Sequence, residues 1–231
     1  MPRQKKPIVV YFWNTPNGQK ISIMLEEVGL PYELRAVDIN AGAQFAPAFL
    51  EISPNNKIPA IVDPDGPGGK PVSIFESGAI LSYLGDKTGK FIGETPVERI
   101  AINEWLFWQV GGLGPMSGQA NHFRNAAPVK IDYGVERYTS EVTRLFGVLE
   151  RQLEGRAFIA GPYSIADIAT WPWVRLWKGL GQDIEAYPKL RAWLERVGAR
   201  DAVGRGMAAG KALAKIAPHT VVPPPTATQS R

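Results

Sequence analysis

The sequence predicts a chain of two structural classes, an α/β half followed by an all-α half. Residues 8–92 alternate β-branched and aromatic runs with one-faced helical periodicity. From residue 95 onward the strand signals vanish and apolar residues recur at helical spacing. A long amphipathic stretch, roughly Asp132–Leu153, gives the second half its clearest helix. Domains are placed at 7–92 and 95–217, with a disordered tail over 218–231.

"IVVYFW" is the first strand, and it ends at the turn cluster "NTPNG". "GQKISIMLEEVGL" follows as a helix, with Ile21, Leu25 and Val28 on one face and Gly29 as its stop. "YELRAVDI" is a second strand, and a short helix is expected near Pro47–Glu51. "IPAIVD" and "PVSIFE" flank the Pro/Gly-rich "PDGPGGK" and read as a hairpin. "SGAILSYLGDKTG" reads as a helix with Ser77 as N-cap and Gly85 or Gly89 near its end. The order is therefore β-α-β, a loop with a short helix, then β-β-α.

In the second half, Thr95-Pro96-Val97-Glu98 combines a capping box with proline at the first helical position. The 132–153 helix carries Val135, Tyr138, Val142, Leu145, Leu149 and Leu153 on one face. Ser164-Ile165-Ala166-Asp167 is another cap sequence, opening an apolar helix that contains Trp171, Trp173 and Trp177. Pro188 opens a further helix with Leu190, Trp193, Leu194 and Val197 facing inward. "GGLGP" lacks the Lys-Ser/Thr of a phosphate loop and reads as a kink or helix break. Trp105, Phe107 and Trp108 at helical spacing read as core or interface rather than as a substrate wall. No internal repeat is visible, and the Pro-rich "VVPPPTATQSR" reads as disordered.

Composition narrows the chemistry. The chain holds no cysteine, so it has neither a disulfide nor a protein thiol to act as nucleophile or metal ligand. Thiol chemistry would need a sulfur borrowed from a ligand. A zinc site or a Ser-His-Asp triad would have to use His122, because the only other histidine, His219, sits in the Pro-rich tail; no metal is expected. The net charge is +4, with +3 before residue 8 and +5 from Arg196 onward, which leaves the interval 8–195 at −4. Basic ends on a mildly acidic body do not describe a nucleic-acid binder. No apolar run approaches the roughly 20 residues of a membrane helix. Ile8–Phe12 is too short for a signal-peptide core, so the expected compartment is the cytoplasm.

Three short segments can carry chemistry. In "IPAIVD" the Ile58–Pro59 bond can be cis at modest cost, and a proline opening a strand leaves the Ile58 backbone free to pair elsewhere. By itself this reads as an edge-strand proline. Glu76-Ser77 stands at a strand-to-helix junction. Ser77 offers a hydroxyl and the first free amides of a helix, which suit a carboxylate, and Glu76 can accept from an ammonium. Together they suit an α-amino acid head group; alone they also describe an ordinary cap. In "NTPNG", Thr15 and Asn17 place a hydroxyl and an amide at a helix N-terminus, where an anion such as a thiolate is favoured. That segment is equally a simple helix start.

Taken in order, "TPN", "ISPNNKIPAIVD", "FESGAILSYL" and "SIADIA" resemble the glutathione transferase superfamily over about residues 8–216. The resemblance implies a thioredoxin-like N-terminal domain joined to an all-helical C-terminal domain. "IPAIVD" would supply the cis-proline, Pro59. "ESGAI" would grip the γ-glutamyl end of glutathione, and "SIADI", with Ser164 and Asp167, resembles the family's capping box and hydrophobic staple. "TPNGQKI", "AGAQF", "WLFWQVGGLGPM", "VERY" and "SIADIATWPW" are similar to the bacterial Nu-class enzymes, which reduce disulfide bonds with glutathione. Ala43 stands where that class is expected to have glycine.

This likeness implies catalytic roles for Asn17 and Thr15 beside the glutathione sulfur. It implies Gln44 on a glycyl end, the Ile58 backbone on the cysteinyl unit, and Glu76 and Ser77 on the γ-glutamyl end. It also implies that Arg137 reaches the ligand from the helical domain. Glutathione, reduced or oxidised, is the implied substrate, two molecules or one disulfide per site. A small disulfide, a hydroperoxide or an electrophile is its partner, and the chain is expected to be a homodimer. Conjugation of glutathione to electrophiles and a non-catalytic binding module remain the alternatives.

Overall fold

Five consecutive apolar residues make β1, Ile8–Phe12, which is buried along its whole length. The computed structural model describes residues 6–216; the tail expected over 218–231 lies outside the described residues. After β1, Thr15 caps α1, Pro16–Val28, and Gly29 ends it with a left-handed φ of 72°. β2, Tyr32–Ala36, runs parallel to β1. A 3₁₀ turn at Ala43–Phe45 and the short α2, Pro47–Leu50, lead into β3, Ala60–Asp63. β4, Val72–Phe75, follows the Pro/Gly turn, and α3 runs Ser77–Thr88. The sheet order is β2-β1-β3-β4, with β3 antiparallel to both β1 and β4 and Val10 opposite Ile61. This is a thioredoxin-like sheet, as the resemblance implied.

Val9, Tyr11, Val37, Phe49, Ile52, Ala60 and Val62 form one core cluster, and Ala43, Ile58 and Phe75 pack against it. Both ends of the 53–59 loop are thereby pinned, which matters for the site described below.

The rest is helical: α4, Pro96–Trp108; α5, Gly114–Asn121; α6, Asp132–Gln152; α7, Ile165–Val174; α8, Pro188–Gly198; and α9, Asp201–Ile216. Thr95 and Glu98 make the expected capping box on α4. α6 buries Val142, Leu145, Phe146 and Leu149 on the expected face. Two sequence expectations need correction. "GGLGP" does not break the helix: Gln109–Leu113 is a π-helical turn between α4 and α5, and Trp108, Leu113 and Gly114 keep helical dihedrals. Trp177 does not lie on α7. Pro172 sits inside that helix and removes a ladder donor, and the helix stops at Val174.

α7 carries its own capping box, Ser164 with Asp167. Asp167 is fully buried and each of its oxygens accepts two bonds. Oδ1 takes the Ile159 amide at 3.0 Å and the Trp193 indole N–H at 2.8 Å. Oδ2 takes the Ser164 amide at 3.0 Å and its hydroxyl at 3.3 Å. Burial pushes this carboxyl up, against the pull of those donors.

Contacts group the described chain into two compact units: the residues up to Leu84 together with α9, and Gly85–Arg200. α9 falls in the stretch that the sequence reads as part of the helical half, and it packs on α1. Glycine makes that approach possible. A Cβ on Gly206 would stand 2.7 Å from the Ile23 backbone nitrogen and Cα. Gly206→Ala is therefore expected to destabilise the fold by about 1–3 kcal/mol, because only backbone can give way. Gly204, with nothing within 4 Å of its would-be Cβ, is the control. Gly204→Ala should be neutral or stabilising, as helix propensity dictates. Urea unfolding of both variants checks the pair, and equal midpoints would refute the close-approach argument.

Candidate active site

The turn after β1 is set by crowding. A Cβ on Gly18 would lie 2.3 Å from the Trp13 carbonyl oxygen and 2.9 Å from the Phe12 ring, so only glycine fits. Thr15 Oγ1 accepts the Gly18 amide at 3.4 Å, and Pro16 opens the helix. Asn17 thus stands in the first turn of α1.

A second segment, 53–59, arrives from the core. Ser53 is fully buried and donates its hydroxyl to the Lys57 carbonyl at 2.9 Å, and the Asn56 amide donates to the Ser53 carbonyl at 2.9 Å. The Ile58–Pro59 peptide is cis, as the resemblance implied.

The third segment is the β4–α3 junction. Glu76 has a φ of 70°, a left-handed conformation that a glutamate rarely adopts and that costs on the order of 1–3 kcal/mol. Its carbonyl accepts the Ile80 amide at 2.9 Å. Glu76, not Ser77, therefore takes the cap position, and Ser77 is the first helical residue; the expectation of Ser77 as N-cap is corrected. The reversed φ aims the Glu76 carbonyl down the helix and releases the Ser77 hydroxyl from capping. That hydroxyl accepts instead from the Lys20 ammonium at 3.1 Å. Asn55 Nδ2 donates to Glu76 Oε1 at 3.1 Å, tying the loop to the junction.

The three segments enclose a pocket of about 230 Å³ lined by Asn17, Ser53, Asn55, Lys57, Ile58, Pro59, Phe75, Glu76 and Ser77. This is less than the roughly 300–1,000 Å³ of pockets that engulf a whole ligand, so it suits one end of an extended molecule. Its donors are the Asn17 amide, Lys57 and the first free amides of α3, and its acceptor is Glu76. Such a set matches a group carrying both a carboxylate and an ammonium.

Of the residues singled out in the sequence, Asn17, Ile58, Pro59, Glu76 and Ser77 meet at this pocket. Thr15, Gln44 and Arg137 are not among its lining. Thr15 lies two residues before Asn17 as the α1 cap. Gln44 sits on the 3₁₀ turn with Oε1 enclosed and without a hydrogen-bond partner among the described residues. Arg137 is exposed on α6 in the second unit. Ser164 and Asp167 build the α7 cap. Sequence reasoning missed Ser53, Asn55, Lys57 and above all Lys20. Lys20 is 1% exposed on α1, one turn beyond Asn17. Burial pulls its ammonium down to about 7, with the Glu76 charge holding it up. Its spacing from Asn17 was the one available signal.

No group of three or more His, Cys, Asp or Glu side chains among the described residues could hold a metal ion. Nor is any described helix long and apolar enough to cross a membrane.

A thioredoxin-like unit with a cis-proline ahead of β3 and a Glu-Ser junction ahead of α3, followed by an all-helical unit, is the architecture of a known family. Residues 15–87 match the family model for the glutathione S-transferase N-terminal domain, and 132–196 match that for its C-terminal domain. The chain belongs to the glutathione S-transferase family. Among its relatives is the disulfide-bond oxidoreductase YfcG of Escherichia coli, 54% identical over 87% of this chain and 94% of the relative. Two solved structures are also similar. A Pseudomonas fluorescens family member with two glutathiones bound superposes with a TM-score of 0.83 at 46% identity, over 89% of this chain and 95% of that one. A Pseudomonas putida glutathione transferase with one glutathione disulfide bound per subunit gives 0.84 at 42%, over 89% and 92%.

Proposed function

We propose that this protein is a glutathione-dependent disulfide-bond reductase of the Nu-class type. The observation that carries the reading is the pocket where Asn17 at the start of α1 and Glu76-Ser77 at the start of α3 converge, in a chain without cysteine. The γ-glutamyl head group fits the α3 end, with its carboxylate on the Ser77 hydroxyl and the helix amides and its ammonium on Glu76. The Ile58 backbone receives the cysteinyl unit, and Gln44 serves a glycyl end. The glutathione thiol then lies toward α1, where Asn17, Thr15 and the helix N-terminus favour its anion.

The thiolate attacks one sulfur of a disulfide, forming a mixed disulfide and expelling the other half as a thiolate, which takes up a proton. A second glutathione attacks the mixed disulfide, releasing the remaining thiol and leaving glutathione disulfide. The name of the relative YfcG and the bound glutathione pair or disulfide in the two similar structures support this route. The same thiolate can attack the O–O bond of an organic hydroperoxide, so peroxide reduction is proposed alongside. The need for reduced glutathione fits the cytoplasm.

Steady-state reduction of 2-hydroxyethyl disulfide by glutathione, coupled to glutathione reductase, tests the proposal. Turnover well above the uncatalysed rate is expected. Glutathione binding without turnover, together with conjugation of a chlorinated aromatic, would move the assignment to transferase. Failure to bind glutathione at all would favour a non-catalytic module. Arg137→Ala in the same assay tests the role expected of that guanidinium.

A homodimer is proposed as well. One face of α4 exposes Val97 at 75%, Ile100 at 61% and Phe107 at 70%, an apolar stripe that suits a second copy. Light scattering should give twice the 25.3 kDa of one chain, and Phe107→Glu should shift the population toward monomer. A monomeric wild type would refute it.

A further inference from the structure

Lys20 is a buried cation that the proposed chemistry does not use. Lysine is almost never fully buried unless it is paired, and the Ser77 hydroxyl is one of the groups that Lys20 meets. Three features locate it. It lies on α1 one turn past Asn17. Its side chain is enclosed, at 1% exposure. Its Nζ stands 3.1 Å from Ser77 Oγ, and Ser77 itself lines the pocket.

In its protonated form Lys20 has donors only, and a carboxylate bound nearby favours that form. In this bond Ser77 Oγ must therefore accept, and its single proton is left for another partner. Ser77 lines the pocket, so a ligand bound there can be that partner. A neutral side chain at position 20 would lose that control, and the hydroxyl could turn to any nearby carbonyl. The charges complement the same ligand. Glu76 on one side of the junction suits an ammonium, and Lys20 behind Ser77 suits a carboxylate.

Resting on the glutathione reading above, we infer that Lys20 is a positioning residue: it fixes the Ser77 hydroxyl as a donor to the α-carboxylate of the γ-glutamyl unit and supplies the buried positive charge that this carboxylate faces. Lys20 does not touch the ligand; it acts through Ser77. The site thereby selects a γ-glutamyl group over an amide-linked amine that lacks the carboxylate.

Two ligands separate this role from a structural one. Glutathione carries the carboxylate, and 4-aminobutyryl-cysteinyl-glycine is the same molecule without it. Binding of both is measured calorimetrically to wild type, Lys20→Met, Ser77→Ala and the double variant. Lys20→Met is expected to weaken glutathione by roughly 10- to 100-fold, the size of one hydrogen bond to a charged group, and to leave the analogue nearly unchanged. The losses in the two single variants should not add in the double variant. Equal weakening of both ligands by Lys20→Met would overturn the inference.

A measurement on the unaltered protein guards against a variant that fails to fold. In wild type labelled with ¹⁵N-lysine, the Lys20 ammonium resonance should shift on saturation with glutathione and stay in place with the analogue. Identical shifts with both ligands would also overturn the inference. A wild type that binds neither ligand would instead remove the glutathione reading itself.

Discussion

Asn17→Ala is expected to lower kcat for disulfide reduction by roughly 10- to 100-fold, the worth of one hydrogen bond to a charged group, while the glutathione Kd changes little. The chain offers no thiol of its own, so any thiolate must come from a ligand, and the proposed reading sets it beside α1. Asn17 lines the pocket from the first turn of that helix, and its side-chain amide is a donor that needs no proton transfer. Its loss leaves the helix N-terminus in place but removes a directed hydrogen bond to sulfur. The thiol pKa of bound glutathione should then rise, because its anion has lost a partner; one unit is about 1.4 kcal/mol. The pH profile of kcat should move to the alkaline side by the same amount. Stopped-flow absorbance of the bound thiolate as a function of pH reads this directly. An unchanged profile would show that Asn17 does not face the sulfur. Thr15→Ala is a poorer probe, since Thr15 Oγ1 also caps α1 through the Gly18 amide and its removal costs about 1 kcal/mol of helix stability.

Asp167→Ala should destabilise the fold by about 3–5 kcal/mol, a large share of the roughly 5–15 kcal/mol that holds a typical protein folded. Four donors lose their acceptor at once: the Ile159 and Ser164 amides, the Ser164 hydroxyl and the Trp193 indole. The side chain is fully buried, so water does not replace it without opening the core. Asp167→Asn keeps the shape but turns an NH₂ toward two of those donors whichever way the amide lies. Its cost should be smaller, about 2–3 kcal/mol, and still severe. Urea unfolding followed by tryptophan fluorescence checks both, with Trp193 inside the affected network. A loss below 1 kcal/mol for the alanine variant would mean that the network is replaced by water.

Much of this was legible along the chain. Periodicity is local, so the β1 run, the α1 face and the α6 stripe could be read from spacing. Caps are local too. Thr95 with Glu98 and Ser164 with Asp167 announce helix starts because a side chain three residues away closes the first turn. The family motifs brought Pro59, Glu76 and Ser77 forward in the same way.

What the sequence determined by itself was therefore the element order, the thioredoxin-like and helical halves, and the motif residues of the pocket. Tertiary structure alone decided the rest. It put α9 on α1, because the glycine that allows a close approach does not name the surface approached. It reversed the backbone at Glu76, the single residue between β4 and α3, and so moved the cap off Ser77. It buried Lys20, which the spacing of Ile21, Leu25 and Val28 along α1 does not single out. Its partner Ser77 lies 57 positions away, and only the sheet that carries both helices brings the ammonium within 3.1 Å of that hydroxyl.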